Sequence, residues 1–351
     1  MEKEKLIPFP IKQALLITFI CLATFNLKAE TWKDTLVNQA WHDTVRIQKA
    51  QLVELDSNSS ALFFRPKPFQ FAKNVPSDLY QLGKTTFSKR NLPKLGVLIA
   101  GTAALTLVDQ QITDAAQQFG RYINLSPERE FQRVEVFNIP LIDLPGNLNA
   151  AFYFLGEGWP SIMIAGGFYG YGLMANDYRA LQTTSQLAEM FFTLAITTQF
   201  VKRITGRQSP FRAMDPPPGT EAVPGGSWHF FISPKNYQKS VSNHDAFPSG
   251  HLATAMATVT ILAGNYPDNK YIKPVGYTLM GLLSYSMLNN GVHWLSDYPL
   301  AIAIGYTCGK IALARGRQVI PKLGTDHGAS STLSPAYLGT GGIGLSYRAT
   351  F

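Results

Sequence analysis

Pro248-Ser249-Gly250-His251-Leu252-Ala253-Thr254-Ala255-Met256-Ala257 is the most informative stretch of this chain, a serine followed by an apolar run that reaches Gly264 without a charge. Ser249 has the side chain of a helix N-cap, and the first backbone N–H groups of the helix it opens have no internal partners. A helix start of this kind binds phosphate oxygens readily, and His251, in the first turn, faces the same anion. Taken alone, the tetrapeptide is equally well a plain helix start. Its surroundings add weight, because the helical pattern recurs from Pro93 to about Gly316. Six helices are expected, at roughly 93–119, 146–175, 178–203, 249–265, 272–289 and 297–316. The second should break between Gly156 and Pro160. The expected fold class is all-α, a six-helix bundle.

Two further elements carry chemistry. His293-Trp294-Leu295-Ser296-Asp297 spaces an imidazole and a carboxylate four residues apart, on one face if the segment is helical. A carboxylate there holds one ring nitrogen protonated and leaves the other free to attack. Lys202, Arg203, Arg207 and Arg212 then place four cations within eleven residues at the end of an apolar helix. Helix-dipole complementarity accounts for Lys202 and Arg203, but hardly for Arg207 and Arg212 beyond Gly206. An anion site accounts for all four.

Composition limits the alternatives. Hydrophobic residues make up 46% of 351 and charged residues only 15%, apolar for a soluble protein yet too polar for a chain that is mostly membrane-spanning. A net charge of +8 suits a phosphate or a lipid surface. The basic residues are scattered rather than blocked, which does not point to nucleic acid. With two cysteines, one of them in the N-terminal apolar run, a disulfide framework and a cysteine-rich metal site are excluded. No carboxylate cluster has metal-ligand spacing, and no cofactor is implied.

Residues 1–29 read as a secretory signal, with basic Lys3, Lys5 and Lys12, an apolar core from Ala14 to Phe25 and a cleavage site near Ala29. Residues 30–92 form an N-terminal extension: a short helix from Trp32 to Leu55, a flexible break over residues 56–60 and an extended connection. The helical domain spans 93–320. It contains a long loop, 204–248, in which His229 and the His244-Asp245 pair read as ordinary loop polarity. Residues 321–351 form a tail, where the alternation of Ile343, Leu345, Tyr347, Ala349 and Phe351 predicts a short β-hairpin. The apolar helices are short for membrane spans. Six full spans after a cleaved signal would also put Lys202 on the cytoplasmic side, so a bundle that is soluble or only dips into a membrane, or one with an additional span, removes the conflict.

In this order the three elements resemble the signature of the type 2 phosphatidic acid phosphatase superfamily, K-x6-R-P, then P-S-G-H, then S-R-x5-H-x3-D. The signature falls on Lys202 and Pro210, on Pro248 to His251, and on Ser286, His293 and Asp297. The resemblance covers about residues 93–316 and implies a helical bundle of that family's kind. It implies His293 as a nucleophile forming a phosphohistidine, Asp297 as its orienting group, and His251 as acid and then base. Lys202 and the amides of Ser249 and Gly250 would hold the phosphate. Where the signature has arginines that bind phosphate, this chain has Ser209 and Met287. Arg207 and Arg212 flank Ser209 and are expected to take over that contact, whereas nothing near Met287 offers a substitute. The implied substrate is a phospholipid, a polyprenyl pyrophosphate or a lipid A phosphate at a membrane surface, acted on by an exported, envelope-located enzyme. A soluble broad-range acid phosphatase, a phosphate- or lipid-binding member with impaired catalysis, and, last, a vanadate-dependent haloperoxidase are the alternatives.

Overall fold

The computed structural model describes residues 50–56, 59–136, 139–215, 221–321, 331–338 and 342–349. The expected signal and most of the expected helix from Trp32 lie outside the described residues. The fold is predominantly helical. In chain order, β1 (Ala50–Asp56) and β2 (Ser59–Phe64) precede α1 (Gln70–Thr86), α2 (Leu92–Thr106) and α3 (Asp109–Tyr122). The hairpin β3 (Phe131–Val136) and β4 (Ile139–Pro145) leads to α4 (Leu148–Phe154), α5 (Trp159–Met174) and the long α6 (Tyr178–Thr205). Two short helices, α7 (Pro210–Met214) and α8 (Pro234–Lys239), precede α9 (Gly250–Asn265), α10 (Ile272–Asn289) and α11 (Tyr298–Leu313). The chain then runs through β5 (Arg317–Pro321), β6 (Ser331–Leu338) and β7 (Gly342–Ala349).

The six expected helices are all present, with two broken. The first is split into α2 and α3 by a 64° bend. The second is split into α4 and α5 at residues 155–158, where the break was expected, with Pro160 in the first turn of α5. Capping explains the other boundaries. Asp177 accepts from the Ala180 amide to start α6, which ends on Gly206 in the left-handed conformation at φ 54°. Asn147 caps α4 by accepting from the Ala150 amide at 2.7 Å. The 204–248 loop is more ordered than expected, since it contains α7, α8 and a 3₁₀ turn at Val241–Asn243.

Two sheet elements differ from expectation. Residues 50–55, read as the end of a helix, form β1, and β2 joins β1 antiparallel to β5 in the order β1-β2-β5. Residues 70–86, read as an extended connection, are helical with Pro76 inside. The sheet buries Leu55, Ala61 and Phe63 against Tyr178 and Leu181 of α6, burial that outweighs the local preference of the segment. The β3–β4 hairpin was not expected. The C-terminal hairpin was, and it pairs Ser331 with Ala349 through to Leu338 with Gly342.

The main core is built by α6, α9, α10 and α11 around Met190, Leu252, Ile261, Leu283, Met287 and Cys308. Helices α9 and α11 run parallel at close range. A Cβ on Gly305 would lie 2.2 Å from the Ala253 carbonyl oxygen, and one on Gly309 would lie 2.9 Å from that of Ala257. Among the described residues no single helix is long and apolar enough to cross a membrane, though the bent pair α2–α3 passes that test together. Large apolar side chains are nevertheless exposed along the outer helices, including Val97, Leu107, Met163, Met174, Phe200 and Val275.

Because the atom facing Gly305 is backbone, a methyl group there must push the two helices apart. Gly305→Ala should lose about 1–3 kcal/mol to overpacking, more than the roughly 0.5–1 kcal/mol that alanine gains in helix propensity. Denaturant titration checks this, and a variant as stable as wild type would show that the helices separate freely here.

Candidate active site

Three backbone junctions converge: the end of α6, the start of α9 and the turn before α11. Ser249 caps α9, its Oγ accepting from the Leu252 amide at 3.4 Å. Its own amide donates to the Asp297 carbonyl at 3.2 Å, so the α9 and α11 starts are tied together directly. The expectation that the Ser249 amide binds phosphate is therefore corrected: that donor is already used, and the side chain is fully buried. The amides of Gly250 and His251 are the remaining first-turn donors of α9. A Cβ on Gly250 would lie 3.9 Å from Lys202 Nζ, so the lysine head is close to this helix start.

His293 precedes a 3₁₀ turn, Leu295–Asp297, rather than lying in an α-helix. The turn still brings His293 Nδ1 within 3.4 Å of Asp297 Oδ2. The closer partner of Nδ1 is the Ala246 carbonyl, at 2.7 Å. A carbonyl can only accept, so Nδ1 carries the proton, and in the neutral ring Nε2 keeps its lone pair. The rings of His293 and His251 lie 5.9 Å apart, and Tyr153 of α4 packs 4.5 Å from the His251 ring. At the α4–α5 break a Cβ on Gly156 would meet the His251 Cβ at 2.5 Å, so only glycine lets the chain pass so close.

Burial drives the His251 ring well below its usual range, and the neighbouring His293, Lys202 and Arg129 push it further in the same direction. At neutral pH it is unprotonated. Lys202 lies 3.5 Å from Asp245 Oδ2. Asp245, read from sequence as loop polarity, is therefore a neighbour of the site.

Arg207 has a different place from the one expected. Its side chain is completely buried. One nitrogen donates to Asp297 Oδ1 at 2.6 Å and to Ser296 Oγ at 2.5 Å. The other donates to Asp109 Oδ2 at 2.6 Å and to the Gly225 carbonyl at 3.1 Å. Its plane lies beside Trp228 and Trp294, 4.7 and 5.3 Å from the ring centroids. The fork is spent on two carboxylates, so Arg207 stands behind Asp297 and the expectation that it holds phosphate is corrected. Arg212 donates from Nε to Ser242 Oγ at 3.3 Å and lies over Phe211, and none of these contacts is with Lys202 or the histidines.

The two positions without arginine are both occupied. Ser209 is buried, its amide donating to the Ser242 carbonyl. Met287 is buried, and its sulfur accepts from Ser249 Oγ at 3.5 Å. Asp109 was overlooked in the sequence because it marks the end of an apolar run. In the structure it joins Arg207, Ser296 and Asp297 in one buried network, and burial raises its carboxyl above the usual range despite Arg207. Among the described residues no group of three or more His, Cys, Asp or Glu is placed to hold a metal ion.

Residues 183–319, which carry all three motifs, match the family model described as the PAP2 superfamily. The resemblance drawn from the three motifs is thereby borne out over that segment. The chain is also similar to the structure described as the first transmembrane PAP2 type phosphatidylglycerolphosphate phosphatase, from Bacillus subtilis. That distant likeness has 13% identity and a TM-score of 0.33, over 70% of this chain and 94% of that one. None of the curated proteins compared with the chain matches it.

Removing Arg207 would leave two buried carboxylates without their cation. Arg207→Ala should lose about 3–5 kcal/mol of stability, and Arg207→Lys should recover only part, since an ammonium cannot fork between Asp109 and Asp297. Denaturant titration of both variants tests this; a stable alanine variant would show that the carboxylates are neutral or hydrated.

His251 gives a pH signature. The unfolded ring titrates near 6.5 and the folded ring well below. Between those values the unfolded state binds more protons, so this contribution to stability is complete above 6.5 and is lost as pH falls through the window. The Tm advantage of wild type over His251→Asn should therefore shrink from about pH 8 to about pH 5. A constant difference would mean that His251 is not held neutral.

Proposed function

We propose that the chain is a phosphoester hydrolase that works through a phosphohistidine on His293. The observation that carries this reading is the commitment of His293 Nδ1 to the Ala246 carbonyl, which leaves Nε2 as the basic nitrogen of a ring 5.9 Å from that of His251, with the Lys202 head close to the helix start that carries His251. A phosphate entering among Lys202, the α9 start and the two rings supplies the negative charge that this cluster of cations lacks. It thereby favours the protonated form of His251.

In the first step Nε2 of His293 attacks phosphorus, forming an N–P bond as the bond to the leaving oxygen breaks. His251 gives its proton to that oxygen. Asp297, held by Arg207 and by the Trp294 amide at 2.8 Å, stabilises the positive charge that develops on His293. In the second step His251 takes a proton from water, the water oxygen attacks phosphorus, the N–P bond breaks and phosphate leaves. Lys202 and the amides of Gly250 and His251 face the phosphoryl oxygens throughout.

The substrate we propose is a lipid phosphate or lipid pyrophosphate, such as phosphatidate, a polyprenyl pyrophosphate or a lipid A phosphate, acted on at an envelope membrane by an exported enzyme. Support comes from the family match and from the exposed apolar side chains of the outer helices, a surface suited to lipid contact. A second reading, phosphate or lipid binding without efficient turnover, is favoured by the absence of a cation at the buried positions Ser209 and Met287.

His293→Ala should lower phosphate release by about three or more powers of ten without loss of the fold. It should also abolish an acid-labile phosphoenzyme trapped from radiolabelled substrate. Release of phosphate from a panel of lipid and soluble esters is the measurement. Turnover that survives in the variant would remove His293 from the reaction, and background turnover by wild type on the whole panel would favour the binding reading.

A further inference from the structure

The two motif positions that lack arginine leave the cluster with Lys202 as its one motif cation, but another guanidinium approaches from outside the matched segment. Arg129 lies in the loop between α3 and β3, in Ser126-Pro127-Glu128-Arg129-Glu130. Its Cζ is 5.4 Å from the centroid of Tyr153 and 5.8 Å from that of Phe211. Tyr153 is the ring that packs on His251 at 4.5 Å. Phe211 lies two residues from Ser209, one of the positions where a cation is missing. Arg129 therefore stands between the ring that packs on the acid histidine and the near neighbour of the vacated position.

The loop that carries it is fixed on both sides. Asn147 Nδ2 donates to the Glu128 carbonyl at 3.0 Å and the Gly146 amide to the Glu130 carbonyl at 2.8 Å. Asn147 is also the cap of α4, the helix that carries Tyr153, so the loop and the ring are held by one residue. A cation pinned in this way loses less conformational entropy on meeting a ligand than a free surface arginine. Arg129 is exposed, and among the described residues none of the ion pairs includes it. Its side chain donates to the Tyr153 hydroxyl and feels the Glu157 carboxylate, and a guanidinium with five N–H groups keeps others available for an anion. Its charge reaches the site, being among those that push the His251 ring down and acting also on the Tyr153 hydroxyl, which burial nevertheless raises to about 12.

We propose that Arg129 is the phosphate-contacting cation that this chain uses in place of the arginines missing at positions 209 and 287, donating to a phosphoryl oxygen beside His251. The proposal rests on the phosphatase reading for its substrate but on its own residues for its geometry. The site is then completed by the segment before the β3–β4 hairpin, which the three motifs do not include.

The test uses full-length protein carrying Arg129→Gln, Arg129→Lys or His293→Ala. Three quantities are read: kcat/KM on p-nitrophenyl phosphate, the Kd of orthovanadate by calorimetry, and Tm. Loss of a charge-assisted contact predicts a fall in kcat/KM of about 10- to 100-fold for Arg129→Gln. Vanadate binding should weaken in parallel, Arg129→Lys should fall between, and Tm should stay close to wild type. If Arg129 only covers Tyr153, Arg129→Gln lowers Tm and leaves vanadate affinity unchanged, which overturns the proposal. If His293→Ala abolishes turnover while Arg129→Gln matches wild type in both rate and vanadate binding, the proposal fails and the phosphatase reading stands. If His293→Ala keeps full turnover, or wild type shows none, the phosphohistidine reading fails. Vanadate then decides for Arg129: weaker binding by Arg129→Gln sustains it, and equal or absent binding overturns it.

Discussion

The rest of the site depends on one buried guanidinium. Arg207 sits between Asp109 at the start of α3 and Asp297 at the start of α11, and both contacts are 2.6 Å. Neither carboxylate is accessible to water, so each would be costly without the other's shared cation. With it, Asp297 is fixed in position to receive the Trp294 amide and to approach His293. Ser296 adds a second link, donating to Asp109 Oδ2 at 2.5 Å while its Oγ accepts from Arg207. The orientation of the proposed nucleophile is thus set by a network that extends through α3, the α6–α7 junction and the turn before α11.

The same network explains why Arg207 is unavailable to an anion. A guanidinium whose two terminal nitrogens are paired with buried carboxylates carries no surplus charge, whereas a phosphate needs cations that the protein has not already neutralised. Lys202 is in an intermediate condition, because Asp245 lies 3.5 Å away and competes for it. Arg129 is at the other extreme, exposed, resting on two aromatic rings and in none of the ion pairs among the described residues, with the Glu157 carboxylate acting on it only electrostatically. Ranking these cations by their partners distinguishes structural from ligand-facing positive charge, which sequence proximity to the motifs does not.

Much of the bundle was legible because its information is local. Apolar periodicity located the six helices, and Gly156 to Pro160 marked a break that is present. The serine cap of α9 and the four-residue spacing of His293 and Asp297 both correspond to real contacts. What was not legible depends on distant partners. β1 could be read as a helix because the strand that completes its sheet, β5, lies at the far end of the helical domain. Arg207 was misplaced because its carboxylates stand 98 and 90 residues away along the chain. Asp109 follows an apolar run, and Arg129 stands between Glu128 and Glu130. No pattern at short range separates those roles.

The glycine seam between α9 and α11 also acts as a length standard. Gly305 lies eight residues beyond Asp297, roughly 12 Å along the helix, and meets Ala253, four residues beyond Ser249. Since the two helices run in the same direction and both begin at the site, the seam fixes how far one start projects beyond the other. That offset sets the relative heights of His251 and His293. A side chain too large for the seam would shift the two imidazoles out of step without touching either, and would resemble a chemical defect although its origin is purely mechanical.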